Sequence, residues 1–98
     1  MTKRELVIRI SNETKLTQLA VKEVIQKLLD YIIESMERNE AVELRNFGVF
    51  RVRTRKARLG RNPNRPDQAV RIPARRVPHF KPGKELRDRV NEDEEEGL

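Results

Sequence analysis

Nine arginines crowd residues 51–76, together with Lys56 and a single acid, Asp67. Guanidinium groups are planar and weakly hydrated, and they suit phosphate forks and narrow grooves. A merely solvated face would take lysine as readily, and residues 1–44 use 4 Lys and 3 Arg. Charges also blunt exposed strand edges, yet nine arginines with almost no counter-charge exceed what edge protection needs. Binding of a polyanion, nucleic acid being the commonest, is the chemistry these residues point to. Other chemistries lack their residues. The chain has no cysteine, so it offers neither a disulfide framework nor a thiolate metal site. Its one histidine, His79, cannot build a multi-histidine zinc site, and it reads as structural, with phosphate contact the alternative. No nucleophile–base pair or phosphate-cradling glycine loop is present, and Asp67 and Glu43 stand apart in sequence. An enzyme, a cofactor or a small-molecule substrate is therefore not expected.

The net charge of +6 conceals an uneven distribution. Residues 1–44 hold 7 basic and 8 acidic side chains, residues 45–89 hold 15 and 3, and residues 90–98 hold none and 5. A near-neutral half is thus followed by a segment of +12 and a tail of −5. No apolar run approaches the roughly 18 residues of a membrane span. After Met1-Thr2-Lys3-Arg4-Glu5, Arg9 and Asn12 interrupt the apolar residues, so no secretory leader is expected. A cytoplasmic protein without a membrane partner is the expectation.

These groups must be held by elements. Thr2 with Glu5 reads as a capping box for a short helix carrying Leu6, Val7 and Ile10. Thr17 caps a second helix, in which Val21, Val24, Ile25, Leu28, Leu29, Ile32, Ile33 and Met36 make a broad apolar face. Arg38-Asn39-Glu40 reads as its exit. Only about 70 residues are able to fold compactly, where a lone core is marginal. Burial of the long helix against a second copy would solve this; a short sheet covering the face is the alternative. Val42 and Leu44 mark a short strand, and Asn46-Phe47-Gly48 a turn in which Gly48 is free to take positive φ. Phe50 and Val52 then alternate with Arg51, Arg53 and Arg55. Residues 60–67 are dense in turn formers, and Val70 and Ile72 resume a strand. The outer part of this hairpin has too few apolar residues to pack on a core, so it should project. Gly83 then starts a short helix, Lys84 to Val90. Its first turn, with Lys81 and Lys84, reads equally as a phosphate seat or as an ordinary helix start.

The runs Phe47-Gly48-Val49-Phe50, Ala57-Arg58-Leu59-Gly60-Arg61-Asn62-Pro63, Ile72-Pro73-Ala74 and Val77-Pro78-His79-Phe80-Lys81-Pro82-Gly83-Lys84-Glu85-Leu86, with Lys3-Arg4-Glu5-Leu6, resemble the HU/IHF family of bacterial DNA-bending proteins over residues 1–91. The resemblance implies an α+β fold and an intertwined dimer. It implies two N-terminal helices, a three-stranded sheet with a protruding β-ribbon arm over about residues 53–75, and a short C-terminal helix. The resemblance also implies binding in the DNA minor groove, the mode of that family's architectural proteins. By resemblance, Phe47, Phe50 and Phe80 are core aromatics, joined in the dimer core by Leu29 and Ile33. Pro63 matches the proline that wedges between base pairs. Arg53, Arg55, Arg58, Arg61 and Asn62, with Arg65 and Arg71, match the groove-lining arm. Lys3, Arg45, Asn46, Arg75, Arg76, Lys81 and Lys84 belong to a saddle beside phosphates.

The chain departs from the family at Asn64-Arg65-Pro66, where x-Thr-Gly is usual, and its return strand starts one residue late. A one-residue slip reverses a strand's facing unless a turn or bulge absorbs it. A Pro66-Asp67 tip turn is the expected device. Residues 92–98 exceed the usual family end and read as a disordered acidic tail, which either solubilises the protein or folds back on the basic arms. The expected function is architectural: bending and compaction of double-stranded DNA in the nucleoid, with little sequence specificity, as a homodimer. The alternatives are a site-selective, IHF-like bender acting as one subunit of a heterodimer, suggested by Glu43-Leu44-Arg45 and by the run from Val77 to Asn91, and an RNA-binding protein. The aromatics Phe47, Phe50, Phe80 and Tyr31 lie in apolar patterns rather than on a stacking platform, which weighs against RNA.

Overall fold

The structure, a computed structural model, describes residues 1–96. Helix α1 spans Lys3–Thr14 and helix α2 spans Gln18–Glu37. Both start as the sequence predicts. Thr2 accepts the Glu5 N–H while Glu5 reaches back to the Thr2 N–H, and Thr17 accepts the Ala20 N–H. Each cap satisfies a donor that the first turn otherwise leaves open. Lys15, with φ of 67°, ends α1 in the left-handed region, and Asn39, with φ of 60°, follows the exit of α2.

Three strands follow: β1 (Val42–Leu44), β2 (Gly48–Arg55) and, after the arm, β5 (Arg75–Pro82), in the order β1-β2-β5 and antiparallel throughout. Between β2 and β5 the chain forms β3 (Arg58–Asn62) and β4 (Arg65–Ile72), a separate two-stranded ribbon. The β2–β5 ladder ends at Arg55↔Arg75 and the β3–β4 ladder begins at Arg58↔Ile72. Lys56-Ala57 and Pro73-Ala74 therefore interrupt both sides of the ribbon at one level. The arm is long, and the chain spans 62 × 42 × 27 Å.

The turn between β1 and β2 corrects one expectation. Asn46, not Gly48, takes the positive φ, at 69°. Asn tolerates the left-handed region because its short side chain can bond locally. Gly48 is required for a different reason. A Cβ there would lie 2.5 Å from the Phe80 ring and 2.7 Å from the Lys81 carbonyl oxygen. The bare backbone lets Phe80 stack against Phe50 at 4.8 Å and Phe47 at 5.4 Å, both tilted.

Helix α3 spans Lys84–Glu96. It passes Val90 and takes in residues 92–96, which the sequence reading assigned to a disordered tail. Glutamate is a good helix former, so an established helix can propagate through an acidic run. Gly97 and Leu98 lie outside the described residues.

Among the described residues only Val7, Val21 and Ile32 are buried hydrophobics. Leu19 is 77% exposed, Val24 65% and Ile33 55%. The short sheet does not cover the apolar face of α2, and a single chain has very little core of its own.

Candidate nucleic-acid interface

Directly opposed residues in an antiparallel ladder share a face. The β2–β5 register therefore sorts the sheet. Phe50, Val52 and Thr54 lie opposite Phe80, Pro78 and Arg76, and this face meets α2. Arg51, Arg53 and Arg55 lie opposite His79, Val77 and Arg75, with Lys81 beside them. The outer face is thus a cationic surface. Arg53, Arg55, Arg75 and Lys81 are candidate site residues of the sequence, and the register brings them onto one face. Arg51 joins them there, as the strand alternation already indicates, and so does His79, for which phosphate contact is the alternative to a structural role. Arg55 directly faces Arg75; like charges so placed cost stability. Among the described residues the ion pairs are Arg9–Glu13 and Arg38–Glu34, both within helices, so the outer sheet face and the arm lack carboxylate partners there.

The arm continues this charge on both of its faces. Leu59 and Arg61 lie opposite Arg71 and Ala69, whereas Arg58 and Gly60 lie opposite Ile72 and Val70. Arg58 is therefore on the other side of the ribbon from Arg61 and Arg71. Gly60 is a strand residue rather than part of the tip. A Cβ there would stand 2.8 Å from the Ile72 Cδ1, so the glycine makes room for that side chain.

The tip also differs from expectation. Asn62 pairs with Arg65, and Pro63-Asn64 form the turn. The register jumps between Arg61↔Ala69 and Asn62↔Arg65, which leaves residues 66–68 without ladder partners. The late return strand is absorbed by a bulge in β4 and not by a Pro66-Asp67 turn. A bulge restores facing while leaving the rest of the ladder in register.

The remaining saddle residues divide. Arg45 and Asn46 sit on the β1–β2 turn, where Gly83 at the start of α3 donates to the Phe47 carbonyl at 2.9 Å. Lys84 follows directly, so these cations gather at one end of the sheet. Lys3 Nζ instead donates to Gln26 at 2.7 Å, and Gln26 donates to Asp30 at 2.9 Å. Arg76 is committed elsewhere. Its Nη2 donates to the Met36 carbonyl at 2.9 Å, the Glu37 carbonyl at 3.0 Å and Asn39 Oδ1 at 2.8 Å. It closes the C-terminus of α2, where orphan carbonyls and the helix dipole favour a cation. The family resemblance puts Arg76 beside phosphates, whereas its position on β5 opposite Thr54 and its bonds to α2 turn it to the helix. Of the predicted dimer-core residues, Phe50 and Phe80 are half-buried, while Phe47, Leu29 and Ile33 are exposed in the single chain.

A family model for bacterial DNA-binding proteins matches residues 1–91. The chain belongs to this HU/IHF family. Integration host factor subunit beta of Marinobacter nauticus is 46% identical over 101 residues, covering all of both chains. The same subunit of Vibrio cholerae is 41% identical over 92 residues, covering 93% of this chain and 99% of the other. A cocrystal structure of Anabaena HU with DNA is 40% identical and superposes with a TM-score of 0.82, over 92% of this chain and 97% of that one. HU from Thermotoga maritima is 28% identical with a TM-score of 0.66 over the same share of this chain. The HU/IHF architecture of two helices, a three-stranded sheet and a ribbon arm is therefore the fold of this chain. Among its described residues no helix is long and apolar enough to cross a membrane.

Proposed function

We propose that this HU/IHF chain is an architectural protein that bends double-stranded DNA as a dimer in the bacterial nucleoid. The observation that carries the reading is the outer sheet face, where Arg51, Arg53, Arg55, Arg75 and Lys81 stand together and continue into an arm tipped by Pro63. Arginines opposed without counter-charge make a surface completed by a polyanion. The sheet face and the turn carrying Arg45, Asn46 and Lys84 take backbone phosphates. The arms enter the minor groove, where Arg61 and Arg71 line the ribbon and Arg58 faces the opposite wall. Pro63 has no N–H to desolvate and presents a rigid apolar ring, so it replaces a stacking contact at a kinked step. Unstacking costs a few kcal/mol per step and is offset when bent DNA wraps the basic body. Few side chains can read bases, so sequence preference is weak and follows groove width and A·T content.

A second reading, favoured by the name of the curated relatives, is a beta-type subunit of a heterodimer acting at selected sites. Competition between random and intrinsically bent duplexes separates the two, since a tenfold or greater preference for particular bent sequences would favour it. Binding as such is tested by salt titration. Several released counterions should weaken affinity by at least about 10³-fold between roughly 50 and 200 mM salt. A flat titration, or preference for A-form RNA, would remove the proposal.

A further inference from the structure

The tip of the arm uses a turn that its own hairpin disfavours. Two-residue hairpin loops favour turns with positive φ, whose twist matches the strands, while ordinary type I turns splay them. Pro63 is held near φ of about −65° by its ring. Among the described residues the non-glycine positions with positive φ are Lys15, Asn39 and Asn46, so Asn64 is not one of them. The tip turn is therefore neither of the mirror-image types nor type II, and its backbone alone does not match the strand twist. Two features compensate. The bulge at residues 66–68 bends β4 just behind the turn. In addition, Asn62 Oδ1 accepts the Asn64 N–H at 3.0 Å, a bond that spans Pro63. Asn62 is half-buried, while Arg61, Pro63, Asn64 and Arg65 around it are exposed. The family resemblance places Asn62 among groove-lining groups, but its side-chain oxygen is already engaged within the tip.

We infer that Asn62 is a positioning residue for Pro63: its side chain fixes the tip turn so that the proline ring is presented before DNA arrives. The inference rests on the DNA-bending function proposed above. A wedge that is already oriented loses less freedom on binding than one the duplex must order. Removal of the acceptor therefore loosens the tip and lowers bending. Affinity, dominated by phosphate contacts elsewhere, changes little.

The test uses the full chain and a short duplex labelled at both ends, so that energy transfer reports bending and titration reports affinity. Asn62→Ala should lose at least half of the bending signal while Kd stays within about threefold of the parent. Asn62→Ser keeps a side-chain acceptor oxygen, one bond closer to the main chain and able to close the same kind of turn, and should recover most of the bending. In a Pro63→Ala background, Asn62→Ala should add nothing. In the free protein, exchange of the Asn64 amide should accelerate in Asn62→Ala and not in Asn62→Ser. Unchanged bending in Asn62→Ala would overturn the inference, as would parallel loss of bending and affinity that persists without Pro63. If Pro63→Ala itself bends DNA like the parent, the wedge reading falls and this inference falls with it.

Discussion

Pro63, Gly48 and Arg76 each carry a distinct physical task, and each task has its own measurement. Pro63→Ala removes the wedge and leaves the charge, so bending should fall more than affinity; equal loss of both would mean the tip does not intercalate. Gly48→Ala places a methyl 2.5 Å from the Phe80 ring. It should destabilise the fold by about 1–3 kcal/mol, read as a lowered unfolding midpoint. Arg76→Ala breaks three bonds to the end of α2. It should lower stability by about 1–2 kcal/mol while leaving the salt slope of DNA binding unchanged, whereas Arg53→Ala should reduce that slope by about 1. The reverse pattern would return Arg76 to the phosphates. Residue types alone made the cationic segment legible. They did not reveal that Arg76 faces inward or that Asn46, not Gly48, bears the positive φ. Those facts depend on cross-strand register and on how closely Phe80 packs.

At the scale of elements, both N-terminal helices, β1 and β2 were legible, because caps and apolar periodicity are local signals; the third strand of the sheet, β5, with prolines at 78 and 82, followed only from the family resemblance. The arm tip was legible only in part. The late return strand announced that something must absorb one residue, and both a turn and a bulge satisfy that arithmetic. The outcome, a Pro63-Asn64 turn with a bulge at residues 66–68, follows from pairing of Asn62 with Arg65, which composition does not encode. Helix α3 runs to Glu96, beyond residue 91 where the family match ends. The extension carries five acids and no base. Five added negative charges lower the chain's overall attraction for a polyanion, most at low salt, where the screening length exceeds about 10 Å. Deletion of residues 92–98 should tighten binding several-fold at about 50 mM salt and much less at about 200 mM. Equal affinity at both concentrations would reduce the extension to a solubilising role.

The whole molecule is incomplete as one chain. Its radius of gyration is 19.9 Å, against about 13 Å for a compact domain of 100 residues. It exposes 9046 Å², whereas a compact monomer of 11.6 kDa would expose about 5,800 Å². The projecting arm and the uncovered apolar face of α2 both contribute to this excess. Leu28, Leu29, Ile33 and Phe47 stand open where a second subunit would cover them. Folding and association should be one process, so the unfolding midpoint should rise with protein concentration. A midpoint independent of concentration over a hundredfold range would indicate a self-sufficient monomer. Distributed over two subunits, the modest +6 of each chain understates what DNA meets, since 13 of the 16 acids lie in the helices while 9 of the 15 arginines lie on β2 to β5 with one acid, Asp67.

The central claim is that two such chains bend one duplex. Its most direct test measures energy transfer across a short end-labelled duplex and, on the same sample, the mass of the complex. The account predicts two chains per duplex and a large gain in transfer that collapses as salt is raised. A complex of matching mass whose ends stay as far apart as in free DNA would contradict bending, and a duplex bent by one chain would contradict the dimer.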